Sequence, residues 1–242
     1  MKTDLNIKPA ATEGQQNYIA KEYEDFSYIV SHDLSAPLRH VKEFTRLLIG
    51  SRENNLSEEE KEYIHFLEKS LQKLDDMQRA LLTFSRIHTR AGPKREVNLE
   101  HTTLSALQDL KGIYDCSDIK IEINSLPIIK AEPQLIYLLM YHLIENAIKF
   151  QIPDNTNKSI SISAFEEKEN WMISVKDNGI GIPERLHEEV FRLFKKLDPE
   201  KYPGIGAGLT LVRKISSYHN GSIFIKSKEK SGTEIIVSLP KS

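Results

Sequence analysis

The chain has 242 residues, of which 39% are apolar and 28% are charged, and its formal net charge is -2. This balance excludes a strongly basic nucleic-acid-binding surface, and no apolar run reaches the roughly 18 residues of a membrane span. Its one cysteine, Cys116, excludes an intrachain disulfide and favours a reducing, cytoplasmic location. Residues 1–17 are polar, without the apolar core of a signal peptide, and are predicted to form a flexible tail.

Residues 18–91 carry two apolar stripes with helical spacing, one from Tyr18 to Leu48 and one from Ile64 to Phe84. The polar stretch "GSRENNLS" separates them, and Ser57 with Glu60 fits a capping box at the start of the second helix. An isolated helical hairpin has too little surface to bury both stripes. The pattern therefore predicts a homodimer that forms a four-helix bundle, and packing against the rest of the same chain is the alternative.

Residues 92–242 have a mixed pattern that follows "TRAGPKRE", a predicted linker. Short alternating segments predict strands at "IKIEI", "SISISAF", "WMISVKD", "SIFIKS" and "TEIIVSL". Helical patterns cover Leu99 to Leu110, Pro133 to Phe150 and Leu209 to His219. The fold class is therefore α+β, in which a helical hairpin precedes an α/β sandwich with one sheet covered by helices.

The stretch "HLIENAIKF" places His142, Asn146 and Lys149 on one face of a predicted helix. An amide oxygen suits a hard cation such as Mg²⁺, and an ammonium suits a phosphate. A solvated helix face with no ligand explains the same three residues.

The stretch "KDNGIGIP" places Asp177 at the end of a predicted strand, followed by Gly179 and Gly181. A carboxylate at this position can accept a hydrogen bond from an amine, and glycine lets the backbone approach a ligand closely. A surface turn is the alternative, because Asp-Asn-Gly is common in turns.

The stretch "GIGAGLTLVRKI" places Gly204, Gly206 and Gly208 directly before an amphipathic helix. Backbone N–H groups at a helix N-terminus form an anion site. The glycine spacing matches neither a dinucleotide-binding fingerprint nor a P-loop.

Together and in this order, these stretches resemble the boxes of a two-component sensor histidine kinase, over about Tyr18 to Pro240. "SHDLSAPLRHV" resembles the H-box, "HLIENAIKF" the N-box, "DNGIGIP" the G1 box, "FRLFKKL" the F-box and "GIGAGL" the G2 box. The stretch "KKLDPEKYPGIGAGL" is similar to that of phytochrome-like kinases. The resemblance implies a dimerisation and phosphotransfer hairpin followed by an ATP-binding domain of the kind found in type II topoisomerases.

The resemblance also implies roles for individual residues. His32 matches the phosphate acceptor, and Asp33 matches the acidic neighbour that orients its ring. Pro37 removes a backbone hydrogen bond to Asp33, and we hypothesise a kink there.

In the second domain, the resemblance implies an ATP and Mg²⁺ site. Asn146 matches the magnesium ligand, Lys149 a phosphate contact and Asp177 the carboxylate that reads adenine. The rest of the implied nucleotide site comprises Gly179, Gly181, Arg192, Lys195, Gly204, Gly206, Gly208 and Thr233. Arg192 and Lys195 fall in the segment Pro183 to Tyr202, which matches a mobile lid, and Phe191 and Phe194 either anchor it or form local core.

The implied reaction is autophosphorylation of His32, followed by transfer to an aspartate of a separate response regulator. We expect no sensor domain in residues 1–17, so the chain is predicted to be either a fragment of a longer kinase or a subunit driven by another protein, and the input signal is not identified. Ala36 stands where many members have a residue that orients water, which predicts weak phosphatase activity. His142 stands where related hydrolytic ATPases carry a glutamate, which disfavours an ATP-driven conformational machine. A non-catalytic scaffold that sequesters a regulator is the other alternative.

Overall fold

A computed structural model describes residues 38–39, 41–47, 49–50, 56–89, 91–197, 202 and 204–241. The chain divides into two compact units, and the division falls between Arg86 and Ile87. No helix in the described ranges is both long enough and apolar enough to cross a membrane.

The predicted acceptor His32 lies outside the described residues, as do Asp33, Ala36 and Pro37. The same holds for the predicted first helix up to residue 37. The roles assigned to these residues therefore stay predictions.

The first unit contains the predicted helices. Residues 38–39, 41–47 and 49–50 are helical and form α1, and α2 spans Glu58–Thr89. The capping box of α2 is confirmed: the Glu60 N–H donates to Ser57 Oγ at 3.2 Å, and the Ser57 N–H donates to Glu60 Oε2 at 2.8 Å. Between the helices, Lys42 Nζ lies 3.2 Å from Asp75 Oδ2.

Large apolar side chains of this unit lie at its surface. Seven of them are at least 44% exposed in the single chain: Val41, Phe44, Leu47, Tyr63, Phe66, Leu67 and Leu74. Exposed apolar surface of this extent usually marks an interface. Of the predicted stripe residues, Val41, Phe44, Leu67 and Leu74 are thus exposed in the described part of the hairpin, whereas Leu71 is buried.

The described residues of the second unit form seven strands, three helices and two short 3₁₀ turns. In chain order they are β1 (Arg95–Asn98), α3 (Leu99–Lys111), β2 (Ile119–Ile123), β3 (Ile128–Ala131), α4 (Pro133–Lys149), β4 (Lys158–Glu167), β5 (Asn170–Asp177), the turns η1 (Glu184–Leu186) and η2 (Glu189–Phe191), α5 (Gly208–Tyr218), β6 (Ser222–Ser227) and β7 (Thr233–Pro240).

Five strands form one mixed sheet in the order β2-β4-β5-β7-β6. β2 and β4 are parallel, and the remaining neighbours are antiparallel. The parallel pair requires a long crossover, and the chain supplies it with β3 and α4. The sandwich with one main sheet and covering helices agrees with the sequence prediction.

α4 begins with an N-cap and a proline, and its apolar side is buried. Glu132 accepts a hydrogen bond from the Leu135 N–H at 2.5 Å, and Pro133 occupies the first turn, where no N–H is needed. The buried residues of α4 are Ile136, Leu139, Met140, Leu143, Ile144, Ala147 and Ile148. Their burial orients the opposite side of the helix away from the core.

Buried His219 joins the end of α5 to the start of α4. Its Nδ1 lies 2.9 Å from the Ile215 carbonyl oxygen, and its Nε2 accepts a hydrogen bond from the Glu132 N–H at 3.1 Å. Burial lowers the pKa of His219, in agreement with a neutral ring that donates from Nδ1. This link fixes α4 and α5 relative to each other.

The sequence prediction missed a small antiparallel sheet formed by β1 and β3, in which Val97 pairs with Ile129. The predicted linker "TRAGPKRE" is wrong at Arg95 and Glu96, because both lie in β1. β1 has four residues and a single buried position, so its pattern is too short to distinguish a strand from a loop.

Candidate functional site

One side of α4 carries the polar residues of the N-box-like stretch. His142, Glu145, Asn146 and Lys149 are each half-buried, whereas the core-facing Leu143 and Ala147 are 2% exposed. The four polar residues follow the helical repeat and therefore share one face. This face is the part of the helix available to a ligand.

Glu145 contacts three side chains on or next to this face. Its Oε1 accepts hydrogen bonds from Lys149 Nζ at 2.7 Å and from the Tyr114 hydroxyl at 3.0 Å. Its Oε2 lies 3.4 Å from His142 Nδ1. Burial by itself raises the pKa of Glu145, but the contacts with His142 and Lys149 outweigh burial and lower this pKa to about 2.

The sequence prediction did not assign a role to Glu145. The available signal was its four-residue spacing from Lys149, which is the spacing of a helical ion pair. That spacing also occurs on ordinary solvated helices, so the sequence did not distinguish the two cases.

Asp177 lies at the end of β5 with one oxygen occupied and one unoccupied. Oδ1 accepts hydrogen bonds from the Gly179 N–H at 2.7 Å and the Thr233 N–H at 3.3 Å. Among the described residues, Oδ2 has no hydrogen-bond partner. Burial raises the pKa of Asp177 to about 6, against the effect of the two N–H donors. A buried carboxylate with a free oxygen is suited to accept a hydrogen bond from a ligand amine.

Glycines allow three close backbone approaches around Asp177. A Cβ on Gly179 would lie 2.1 Å from the Phe150 carbonyl oxygen, and one on Gly181, at φ +66°, would lie 1.9 Å from the Lys228 oxygen. A Cβ on Gly232, which has a φ of +87°, would lie 2.1 Å from the backbone carbonyl oxygen of Asp177. Only glycine fits these positions. The sequence prediction assigned Gly179 and Gly181 to the nucleotide site, but of the Gly-Thr pair at 232–233 it assigned only Thr233.

Ser227, another residue without a predicted role, connects the loops on both sides of Asp177. Its Oγ accepts the Ile182 N–H at 2.7 Å and lies 2.9 Å from both the Gly232 oxygen and Thr233 Oγ1. Thr233 is therefore held by two contacts: its backbone N–H donates to Asp177, and its hydroxyl lies next to that of Ser227.

The G2-like glycine turn leads directly into α5, whose first residue is Gly208. Gly204 and Gly206 have φ values of +102° and +76°, which strongly favour glycine. Two residues of α4 lie against this turn: Lys149 Nζ would be 3.2 Å from a Cβ on Gly204, and His142 Nδ1 would be 3.4 Å from one on Gly208. The structure thus brings the N-box-like and G2-like stretches together.

The predicted lid anchor Phe191 is local core. It is 5% exposed, and its carbonyl oxygen accepts hydrogen bonds from Thr210 Oγ1 at 2.9 Å and from the Arg213 guanidinium at 3.0 Å. Of the two predicted lid cations, Arg192 is exposed, and Lys195 pairs with Glu189 at 2.8 Å. The ion pair of Lys195 lies within its own segment and does not involve the polar residues of α4.

The described residues contain no cluster of three or more His, Cys, Asp or Glu side chains that would hold a metal ion. A cation at this site would therefore need ligands from elsewhere, such as phosphate oxygens. The half-buried Asn146 offers an amide oxygen on the α4 face, and such an oxygen suits Mg²⁺.

Comparison with known families defines the class of the second unit. Residues 131–242 match the family described as histidine kinase-, DNA gyrase B-, and HSP90-like ATPase. The matched range contains the α4 face, Asp177 and the glycine turn.

Similar proteins extend the assignment to both units. The phytochrome-like protein Cph1 of Synechocystis is 29% identical over 90% of this chain, and the sensor histidine kinase YkoH of Bacillus subtilis is 28% identical over 96%. The chain spans 29% of the length of Cph1 and 55% of that of YkoH. The similarity to these two proteins therefore extends over both units of the chain.

The fold is also that of a solved structure. The crystal structure of full-length ShkA in complex with AMPPNP aligns with 89% of this chain and 45% of ShkA, with a TM-score of 0.67 and 22% identity. This comparison supports the predicted combination of helical hairpin and ATP-binding sandwich.

Proposed function

We propose that the chain is an ATP-dependent protein-histidine kinase that phosphorylates His32 and passes the phosphoryl group to an aspartate of a response regulator. The observation that carries the proposal is the state of Asp177. One of its oxygens is held by two N–H donors, and the other is left for a ligand at the base of a glycine-lined site.

In this proposal, Asp177 accepts a hydrogen bond from the exocyclic amine of adenine. Its pKa of about 6 leaves most of the carboxylate ionised at neutral pH, as an acceptor requires. Gly179, Gly181 and Thr233 shape the same site through the close approaches and hydrogen bonds described above.

The triphosphate would lie along the α4 face and the glycine turn. Lys149 supplies a positive charge, and the backbone around Gly204, Gly206 and Gly208 supplies N–H donors at the start of α5. Mg²⁺ would be held by Asn146 together with phosphate oxygens, and it would offset the phosphate charge. Arg192 and Lys195 are exposed and would add to this site only if their segment closes over the nucleotide.

The chemical step is an in-line displacement. A ring nitrogen of His32 forms a bond to the γ-phosphorus, the bond to the β–γ bridging oxygen breaks, and ADP leaves. Asp33 holds the proton on the other ring nitrogen, which orients the lone pair toward phosphorus. In the second step a carboxylate oxygen of the regulator's aspartate displaces the histidine nitrogen from phosphorus.

The exposed apolar side chains of the hairpin support a homodimer with a four-helix bundle as the functional unit. We also propose a cytoplasmic location and an input from a sensor that is not identified. Phosphatase activity toward the regulator should be weak, because the Ala36 side chain cannot hydrogen-bond to a water molecule.

Incubation of the full chain with γ-labelled ATP and Mg²⁺ tests the proposal. We expect label that is stable to alkali, labile to acid and absent from His32→Gln. Asp177→Ala is the matched variant for the nucleotide site, and it should lose both label and ATP binding in calorimetry. Label that persists in His32→Gln, or wild-type protein that does not bind ATP, would refute the proposal.

A further inference from the structure

We propose that Glu145 is a positioning residue for phosphoryl transfer: its carboxylate holds Lys149 and His142 against the two ends of the glycine turn. This inference rests on the proposed function and adds a residue that acts through its neighbours. Glu145 itself is not required to touch the nucleotide.

The geometry places one carboxylate between two groups that face the turn. The ammonium of Lys149 is 2.7 Å from Oε1, and the ring of His142 is 3.4 Å from Oε2. Lys149 Nζ lies against Gly204 and His142 Nδ1 against Gly208, at 3.2 and 3.4 Å from the positions where a Cβ would stand. Moving the carboxylate would therefore release both ends of the contact between α4 and the turn.

The surroundings make this ion pair more rigid than a surface pair. The side chains of Glu145 and Lys149 are 16% and 12% exposed, so water screens their attraction only weakly. The Tyr114 hydroxyl donates to the same oxygen at 3.0 Å, and the Tyr114 ring lies 5.8 Å from Lys149 Nζ. A carboxylate with three partners fixes the ammonium at one place instead of letting it sample many rotamers.

This arrangement has a distinct kinetic consequence. Removing the negative charge of Glu145 leaves the charge of Lys149 uncompensated, so the ground-state attraction for a triphosphate should not decrease. A fixed ammonium is most valuable when charge develops during transfer, because its position then needs no reorganisation. Loss of Glu145 should therefore lower the rate of phosphorylation more than the affinity for ATP.

The test is Glu145→Gln in the full chain, which keeps the side-chain volume and removes the charge. We expect the kcat of autophosphorylation at saturating ATP to fall about tenfold or more, while the Kd for ATP from calorimetry stays within about threefold. An unchanged kcat would overturn the inference. A Kd weakened in proportion to kcat would also overturn it, because it would show a general structural role.

Glu145→Asp keeps the test valid if the glutamine variant does not fold. It retains the charge but is one methylene shorter, so it cannot reach both Lys149 and His142. We expect near-wild-type Tm and Kd with a reduced kcat, and a wild-type kcat in the folded Asp variant would refute the inference.

Glu166→Gln is the matched control, because it breaks the Glu166–Lys241 ion pair of 2.6 Å at a site not assigned to nucleotide binding. It should leave both kcat and Kd unchanged. Wild-type protein that does not label His32 would overturn the proposed function and the inference with it. Normal wild-type labelling combined with normal labelling in Glu145→Gln would overturn the inference alone.

Discussion

The two units of the chain differ in where their large apolar side chains lie. In the hairpin, Phe44 and Leu47 are 64% and 60% exposed, whereas in the sandwich Leu139 and Ile173 are fully buried. A sheet covered by helices closes a core within one chain, but two helices have only one another. The sandwich therefore has a closed core, although five of its large apolar side chains are also at least 47% exposed: Leu104, Ile113, Ile128, Phe165 and Phe224. The exposed side chains of the hairpin are the surface that the proposed dimer would bury.

The two units also differ in their tolerance of added atoms. In the sandwich, Gly179, Gly181 and Gly232 lie against backbone carbonyl oxygens, whereas a Cβ on Gly50 in the hairpin would meet nothing within 4 Å. In the sandwich, these close backbone approaches shape the candidate ligand site. The described part of the hairpin has no glycine that lies this close to another backbone segment. The following substitutions test this contrast.

The largest effect is expected from Gly181→Ala. The new methyl group would lie 1.9 Å from the Lys228 oxygen at a φ of +66°, so the loop must move or the fold must weaken. We expect the free energy of unfolding to fall by about 3 kcal/mol or more. The matched variant Gly50→Ala should change it by less than about 0.5 kcal/mol in chemical denaturation. If both substitutions lowered the free energy of unfolding equally, the two units would not differ in their tolerance of added atoms.

The next largest effect concerns the hairpin surface. Phe44→Glu combined with Leu67→Glu places charges in the exposed apolar stripe, and burying them in a dimer would be costly. We expect dimer dissociation to become at least about 100-fold easier in analytical ultracentrifugation, with ATP binding retained. Phe165→Glu, at a residue 47% exposed on the sandwich, is the control and should leave the association state unchanged. An unaltered dimer in the double variant would place the interface elsewhere.

A smaller effect is expected from pH at the nucleotide site. Burial raises the pKa of Asp177 to about 6, so the free protein takes up a proton there as the pH falls below that value. Adenine requires the ionised acceptor, and affinity for ATP should therefore decrease on acidification. Between pH 7.5 and pH 5 we expect the Kd to rise by about tenfold. Asp177→Asn should bind weakly at both pH values and lose this dependence, and a pH-independent wild-type Kd would contradict the assignment.

The smallest effect tests the capping box of α2. Ser57→Ala removes the acceptor of the Glu60 N–H, which is 3.2 Å from Ser57 Oγ, and should lower the free energy of unfolding by about 1 kcal/mol. Ser70→Ala is the control within the same helix: its Oγ donates only to the Phe66 carbonyl oxygen at 2.7 Å, which the helix also satisfies. If Ser70→Ala lowered the free energy of unfolding as much as Ser57→Ala, the capping box would contribute little to stability.

Much of the fold could be predicted because the longer elements have clear periods. The predicted helix from Pro133 to Phe150 is observed as Pro133–Lys149, and the predicted strand "TEIIVSL" is observed as Thr233–Pro240. The pair β1–β3 was missed because each strand has four residues, and their pairing joins segments about 30 residues apart.

The candidate site was predictable only in part. Asp177 and the glycines could be named because their spacing matches a family pattern. Glu145 and Ser227 carry no such local signal: their importance comes from neighbours that are distant in sequence, such as Tyr114 for Glu145 and Ile182 for Ser227.

The sequence alone determined the helical hairpin, the sandwich class and the order of the nucleotide-site residues, because periodicity and turn chemistry are local properties. Only the tertiary structure decided that Lys149 lies against Gly204, that one oxygen of Asp177 is occupied, and that Glu145 is buried between two partners. Burial and distance between remote segments set the strength of a charge interaction, and neither is encoded in a short stretch of residues.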